Sequence, residues 1–117
     1  MAENVVQVKS FAFAARIVRL CQFLANEKRE YVLSKQLLRC GSSVGANVEE
    51  AIGGQSRPDF LSKLSIAYKE AREALYWLRL LKETDYLTEP QFDSIYADGE
   101  ELCRIITAIK KTTAANS

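Results

Sequence analysis

The stretch LRCGSSVGANVEEAIGG, Leu38 to Gly54, places four glycines and two serines in seventeen residues while Val44, Val48 and Ile52 recur at four-residue steps. A phosphate-cradling loop needs G-x-x-x-x-G-K-[ST] or G-x-G-x-x-G after a strand, and neither pattern is present. The periodicity predicts a helix from about 34 to 53, with Leu37, Gly41, Val44, Val48 and Ile52 on one face. Glycine inside a helix costs about 1 kcal/mol relative to alanine. Gly41 and Gly45 therefore imply a compensating gain, a seam of small residues that lets a neighbouring backbone come close. Gly53-Gly54 end the segment, since glycine takes the left-handed cap conformation without strain. Asn47 lies between Val44 and Val48; a buried Asn must be hydrogen-bonded, and one such residue can fix the register of packed helices. A ligand contact is its alternative role.

Outward from this segment, three more helices are predicted. The first, about 9 to 26, carries Phe13, Ile17, Leu20 and Leu24 on one stripe and Phe11, Ala14, Val18, Cys21 and Ala25 on a second, a wider apolar surface than one core face needs. The charged cluster NEKREY separates it from the second helix. The third, about 57 to 83, opens with Ser56 as N-cap, Pro58 in the first turn and Asp59 beside the positive end. Leu61, Leu64, Tyr68, Ala71, Leu75, Leu78 and Leu81 give its core stripe; Trp77 and Leu80 stand just off it. Lys69 with Glu73, and Arg79 with Glu83, are i, i+4 pairs for its wet side. The fourth, about 89 to 112, takes Thr88 as cap with Gln91 completing a capping box, and carries Phe92, Ile95, Gly99, Leu102, Ile106 and Ile109. The tail TTAANS is expected to fray. Long helices joined by short breaks must fold back on one another, so the chain, 1–117, reads as one all-α domain: an antiparallel up-down-up-down four-helix bundle.

The composition agrees with a globular, helix-rich domain: 117 residues, 48% apolar, 26% charged, five Gly and two Pro. A net charge of +1 argues against a surface that is all nucleic-acid footprint. The first 45 residues nevertheless carry seven Lys/Arg against three acids, and the remainder is acidic. Cys21, Cys40 and Cys103 show no C-x-x-C spacing and an odd count, which reads as buried small hydrophobes in a reducing cytoplasm rather than a zinc or disulfide framework. Lys9, Arg16 and Arg19 interrupt the apolar N-terminal run, so neither a signal nor a membrane span is read there.

LLRCGSSVGANVEEA resembles the QLRRAAxSIxxNIAEG signature of the small bacterial four-helix-bundle proteins encoded in intervening sequences of 23S rRNA genes, and DFLSKLSIAYKEAREALYWLRLLKETDYL resembles the helix that follows it in that family. Gln36, Leu37, Arg39, Ser43, Val44, Asn47, Val48 and Glu49 or Glu50 fall at signature positions, and the likeness runs from Phe11 to about Ile109. Cys40-Gly41 replaces the usual small alanines, and Ala51-Ile52-Gly53 stands where a glycine more often follows the glutamate directly. The resemblance implies a homo-oligomer, typically a pentameric barrel of bundles, in a family whose general function is unknown. The family includes accessory proteins of diversity-generating retroelements that bind nucleic acid and a reverse transcriptase. Those are strongly basic, whereas this chain is nearly neutral.

The chain has no histidine, which removes the commonest general base and transition-metal ligand, and the Glu-x-x-His plan of di-iron bundles is absent. Glu49, Glu50, Glu70 and Glu73 raise an all-carboxylate Mg²⁺ alternative, a nucleotide pyrophosphohydrolase. A solvated ion-pair face accounts for them better, so no catalytic residue, metal or cofactor is assigned. Lys9, Arg16, Arg19, Lys28, Arg29, Lys35 and Arg39 form a candidate nucleic-acid patch, repeated if the chain assembles. Phe11, Val18, Trp77 and Leu80 are candidate subunit contacts, since they are apolar surface surplus to the core stripes and interface cores favour aromatics. The reading is a cytoplasmic, non-enzymatic, oligomeric binding or scaffold module, pentameric by resemblance; an adaptor for structured RNA or a reverse transcriptase is the alternative.

Overall fold

A computed structural model describes residues 4–116. Four helices follow one another: α1 (Val5–Lys28), α2 (Leu33–Ile52), α3 (Arg57–Glu83) and α4 (Glu89–Ala115). Each packs on its neighbours in the order α1–α2–α3–α4 and α4 returns to α1, giving an antiparallel up-down-up-down four-helix bundle. The long axis, 47 Å, is close to one helix length, since 27 residues at about 1.5 Å each span about 40 Å.

The ends of the helices are set by local chemistry. Asn4 Oδ1 accepts from Gln7 N at 3.1 Å and starts α1 at Val5, a full turn before the run that periodicity alone marks. Ser56 Oγ accepts from Asp59 N, and Thr88 with Gln91 closes a reciprocal capping box. α2 ends at Ile52, but Gly53 has φ −84° and no glycine takes a positive φ among the described residues, so the expected left-handed glycine cap is not used. That conformation falls on Arg29 (φ 53°) and Asp85 (φ 70°). At Arg29 the reversal lets Glu30 N reach Leu24 O at 2.9 Å, a Schellman-type closure of α1. The segment from Thr112, expected to fray, stays helical to Ala115: Ala114 and Ala115 are strong helix formers, and Arg57 Nη1 donates to Asn116 O at 2.8 Å. Ser117, the end of that tail, and residues 1–3 lie outside the described residues.

The core is built from Phe13, Ile17 and Leu24 of α1, Leu37, Val44 and Val48 of α2, Leu64, Leu78 and Leu81 of α3, and Leu102 and Ile106 of α4, all essentially inaccessible. Ala67, Ala71 and Ala74 line the side of α3 and bring it close to α2, the most intimate of the four pairings. Two glycines are required by proximity. A Cβ at Gly41 would lie 2.8 Å from Ile17 Cγ2, and one at Gly45 would lie 3.3 Å from the backbone oxygen of Ser10. Gly99 leaves room for Leu75 and for the edge of Phe13, where the more loosely packed α1–α4 seam closes. Asn47 donates from Nδ2 to Ser43 O of its own helix at 2.8 Å, so its bond does not tie two helices together as a register device would.

Gly41→Ala should lower stability. It gains about 1 kcal/mol of helix propensity but meets the branched, rigid Cβ end of Ile17, an overpacking cost of about 1–3 kcal/mol. Ile17→Ala should then cost less in the Gly41→Ala background than in the wild type, the coupling of a direct contact. By contrast Gly53→Ala, with φ already negative and its nearest neighbour 3.7 Å away, should stabilise by about 0.4–1 kcal/mol. Thermal and urea unfolding of the variants check all three signs.

Candidate assembly face

The outer side of α1 and α2 carries apolar side chains that stand exposed among the described residues. Phe11 is 73% exposed and Val18, two turns on, 39%, so both stand on the same side of α1. Val8, one turn before Phe11, joins them, and α2 contributes Leu38 with Tyr31 and Val32 from the turn that precedes it. Between the two helices runs a groove of about 460 Å³, with Val18, Ala25, Tyr31 and Leu38 on its walls and Lys35 at its rim. Of the side chains singled out in the sequence for subunit contact, Phe11 and Val18 lie here. Trp77 and Leu80 do not: both are half-buried on α3, and the Trp77 indole N–H donates to Glu73 at 3.1 Å. Val8 escapes notice in a helix begun at Lys9, and Leu38 is overshadowed by Leu37 beside it; the Phe11–Val18 and Tyr31–Leu38 seven-residue spacings are the signal for this face.

Glu30 fixes the end of this face. Only 7% exposed, its carboxylate accepts from the backbone N–H groups of Val32 (3.0 Å), Leu33 (2.7 Å) and Ser34 (2.8 Å) and so caps the start of α2 from before the helix. The Ser34 hydroxyl donates to Glu30 O at 3.0 Å and the Cys21 thiol to Ser34 O at 3.3 Å, binding α1, turn and α2 into one knot. Burial alone would raise the carboxyl's pKa; the three backbone donors outweigh it and hold the pKa below the ordinary glutamate value.

The seven basic residues of the candidate nucleic-acid patch are dispersed. Lys9 pairs with Glu101 at 3.0 Å and Arg16 with Asp98 at 2.5 Å, both on α4. Arg39 turns the other way and holds Glu70 (3.3 Å) and Glu73 of α3. Arg19 lies by the α1–α4 groove, leaving Lys28, Arg29 and Lys35 together at the first turn, unpaired among the described residues. A single continuous patch is thus not formed, because the polar sides of α1 and α2 face the acids of two different neighbours.

The four carboxylates of the Mg²⁺ alternative are likewise separated by their partners. Glu49 accepts from Gln7 Nε2 at 2.9 Å, Glu50 pairs with Lys63 at 2.9 Å, and Glu70 and Glu73 share Arg39. Glu73 thus meets Arg39 across the helix pair instead of Lys69 on its own helix, and Arg79 and Glu83 form no ion pair among the described residues. Among the described residues no group of three or more Cys, Asp or Glu is arranged to hold a metal ion. Burial pushes the thiol of Cys21 up to about 11 and that of Cys40 up to about 12, and raises Cys103 as well, so all three stay protonated near neutrality.

The family model of the 23S rRNA-intervening sequence protein matches residues 2–108. The chain belongs to that family. No curated protein matches it. Among solved structures, the fold is similar to the crystal structure of a protein with unknown function from the S23 ribosomal protein family of Bacteroides thetaiotaomicron VPI-5482, with a TM-score of 0.91 and 53% identity over 92% of this chain and 96% of that one.

Glu30→Gln should destabilise the protein by about 1–2 kcal/mol at neutral pH, the scale of hydrogen bonds to a charged acceptor at a helix start. Because the folded pKa lies below the unfolded value of about 4.3, the wild-type advantage is complete above that value and disappears as pH falls through the lower folded one. The difference in melting temperature between wild type and Glu30→Gln, followed from pH 7 to pH 3, should shrink at the acid end; a pH-independent difference would contradict the capping role.

Proposed function

We propose that this member of the 23S rRNA-intervening sequence protein family is a non-enzymatic, cytoplasmic bundle that assembles through the outer face of α1 and α2, as a homopentamer in the arrangement the family resemblance implies, and serves as a binding or scaffold module. The observation that carries the reading is the exposure of Val18, Tyr31 and Leu38 along one groove, with Phe11 exposed two turns before Val18 on α1. Large apolar side chains scattered singly over a surface need no explanation, but a contiguous stripe rimmed by polar residues marks an interaction site. In a ring of five each copy sets one edge of this stripe against a different edge on the next copy, a heterologous contact that closes by rotation. The 53% identical Bacteroides protein supports the bundle fold, the family resemblance implies the assembly, and the three protonated, buried thiols suit a reducing cytoplasm. A nucleotide hydrolase would first have to free its carboxylates from Gln7, Lys63 and Arg39.

One observation favours an adaptor role within the same assembly. Lys28, Arg29 and Lys35 are exposed and unpaired at one end of the bundle among the described residues, and a ring would repeat them around its rim. Phosphate contacts add, so a modest cluster becomes effective by repetition.

Light scattering should return a mass several times the 13.2 kDa of one chain, five times for a pentamer. Phe11→Asp with Val18→Asp should bring it to the monomer while leaving helical circular dichroism intact, since both side chains are exposed. A wild type that stays monomeric over a range of concentrations and salt would overturn the reading. For the adaptor role, retention on immobilised structured RNA should weaken with added salt and fall further in Lys28→Gln/Arg29→Gln/Lys35→Gln.

A further inference from the structure

On the side of the bundle opposite the α1–α2 face, a second groove runs between α3 and α4, about 460 Å³ in volume. We infer that this groove binds a phosphate monoester that carries a planar ring, the chemical class of the nucleoside monophosphates. Three cations stand together in its lining, Arg72, Arg104 and Lys111. Lys9, Arg16, Arg39, Lys63 and Lys82 each hold a carboxylate within 3.3 Å or closer. Arg72, Arg104 and Lys111, which line the groove, hold none among the described residues. Glu100 contributes one negative charge to the same wall, so the groove keeps a net excess of two positive charges in a chain whose total is +1. That excess matches a phosphate dianion, and two guanidinium groups supply the forked donors that recognise phosphoryl oxygens.

The rest of the groove suits an organic body rather than a bare ion. Leu75 and the nearly buried Cys103 form an uncharged floor. Tyr68 offers a ring at one end, one turn of α3 before Arg72, and the Lys110 ammonium lies 5.7 Å from its centroid. The volume is within the range of about 300–1,000 Å³ usual for small-molecule clefts. A polymer fits less well, because the seams on either side hold their charges in ion pairs: Arg39 with Glu70 and Glu73 between α2 and α3, and Arg16 with Asp98 and Lys9 with Glu101 between α1 and α4. Assembly through α1 and α2 leaves the groove open, and the inference does not depend on that assembly.

The test is a nuclear magnetic resonance titration of the ¹⁵N-labelled full chain with adenosine monophosphate, with inorganic phosphate and with a short single-stranded oligonucleotide. Adenosine monophosphate should shift amides of residues 68–75 and 103–111 and bind at least about tenfold more tightly than inorganic phosphate, the effect of one stacked ring. Arg72→Gln/Arg104→Gln should remove the shifts with the fold intact, and Tyr68→Leu should reduce the affinity to that for inorganic phosphate. Because both arginines are exposed, the double variant is expected to fold; an unchanged circular dichroism spectrum verifies it, and Lys111→Gln, which should weaken binding at least about fivefold by loss of one phosphate contact, gives an independent variant. The inference is overturned if the groove amides do not respond at millimolar nucleotide, if phosphate binds as well as the nucleotide, if the arginine variant binds unchanged, or if only the oligonucleotide binds.

Discussion

The contact on which the bundle depends is the one where α1 packs on positions of α2 that carry no side chain. Ile17 sits against the bare Cα of Gly41, and one helical turn further along α2 the small Gly45 lies against the backbone of Ser10. Smallness is reciprocal here: Ser10 is itself nearly inaccessible and turns its hydroxyl back to Gln7 O at 3.2 Å. Two helix-interior glycines cost about 2 kcal/mol in propensity, which close packing of Ile17, Val44 and Val48 must exceed. The approach also decides what stays outside. With the inner sides of α1 and α2 in contact, Phe11, Val18 and Leu38 have no space to turn into and remain on the outer surface.

Features fixed within a few residues of sequence were legible; most of those that join distant residues were not. The caps at Ser56 and Thr88 could be read because donor and acceptor are three residues apart, and α3 begins and ends at the predicted positions. The seam at Gly41 was also legible, since glycine at two successive turns of an apolar stripe has few other uses. The ion pairs were misread for a physical reason. An i, i+4 pair on an exposed helix contributes only about 0.2–0.5 kcal/mol, so a partner presented by the next helix readily takes over, as Arg39 does for Glu73. The same logic divided the basic residues: a charge is placed by its own helix but paired by its neighbour's.

Glu30 shows how a residue can look like a loop charge and act as a structural part. In NEKREY it is one of several charges, and nothing local marks it as buried. Its role follows from α2 starting three residues later with no side-chain cap of its own at Val32. Three backbone donors at the positive end of that helix need an acceptor, and the carboxylate of Glu30, next after the Arg29 reversal, supplies it. Arg29 takes its left-handed conformation although it is not glycine, and the bonds to Leu24 O and the capping by Glu30 offset that strain. The glycine pair at the end of α2 is under no such demand, because the chain leaves that helix without reversing its hand.

The near-neutral total charge conceals an uneven surface, and the unevenness bears on function more than the total does. Around the bundle, the α1–α4 and α2–α3 seams consume cations and acids together in ion pairs, while the two grooves between consecutive antiparallel pairs are left with what the seams do not use. The α1–α2 groove is left apolar, and the α3–α4 groove is left cationic. Since these grooves lie on opposite sides, a partner that covers the first does not compete with an anion in the second. A ring built on the apolar side would therefore present one cationic groove per subunit at regular intervals, and neutral net charge would let the subunits approach without the self-repulsion that a uniformly basic surface imposes.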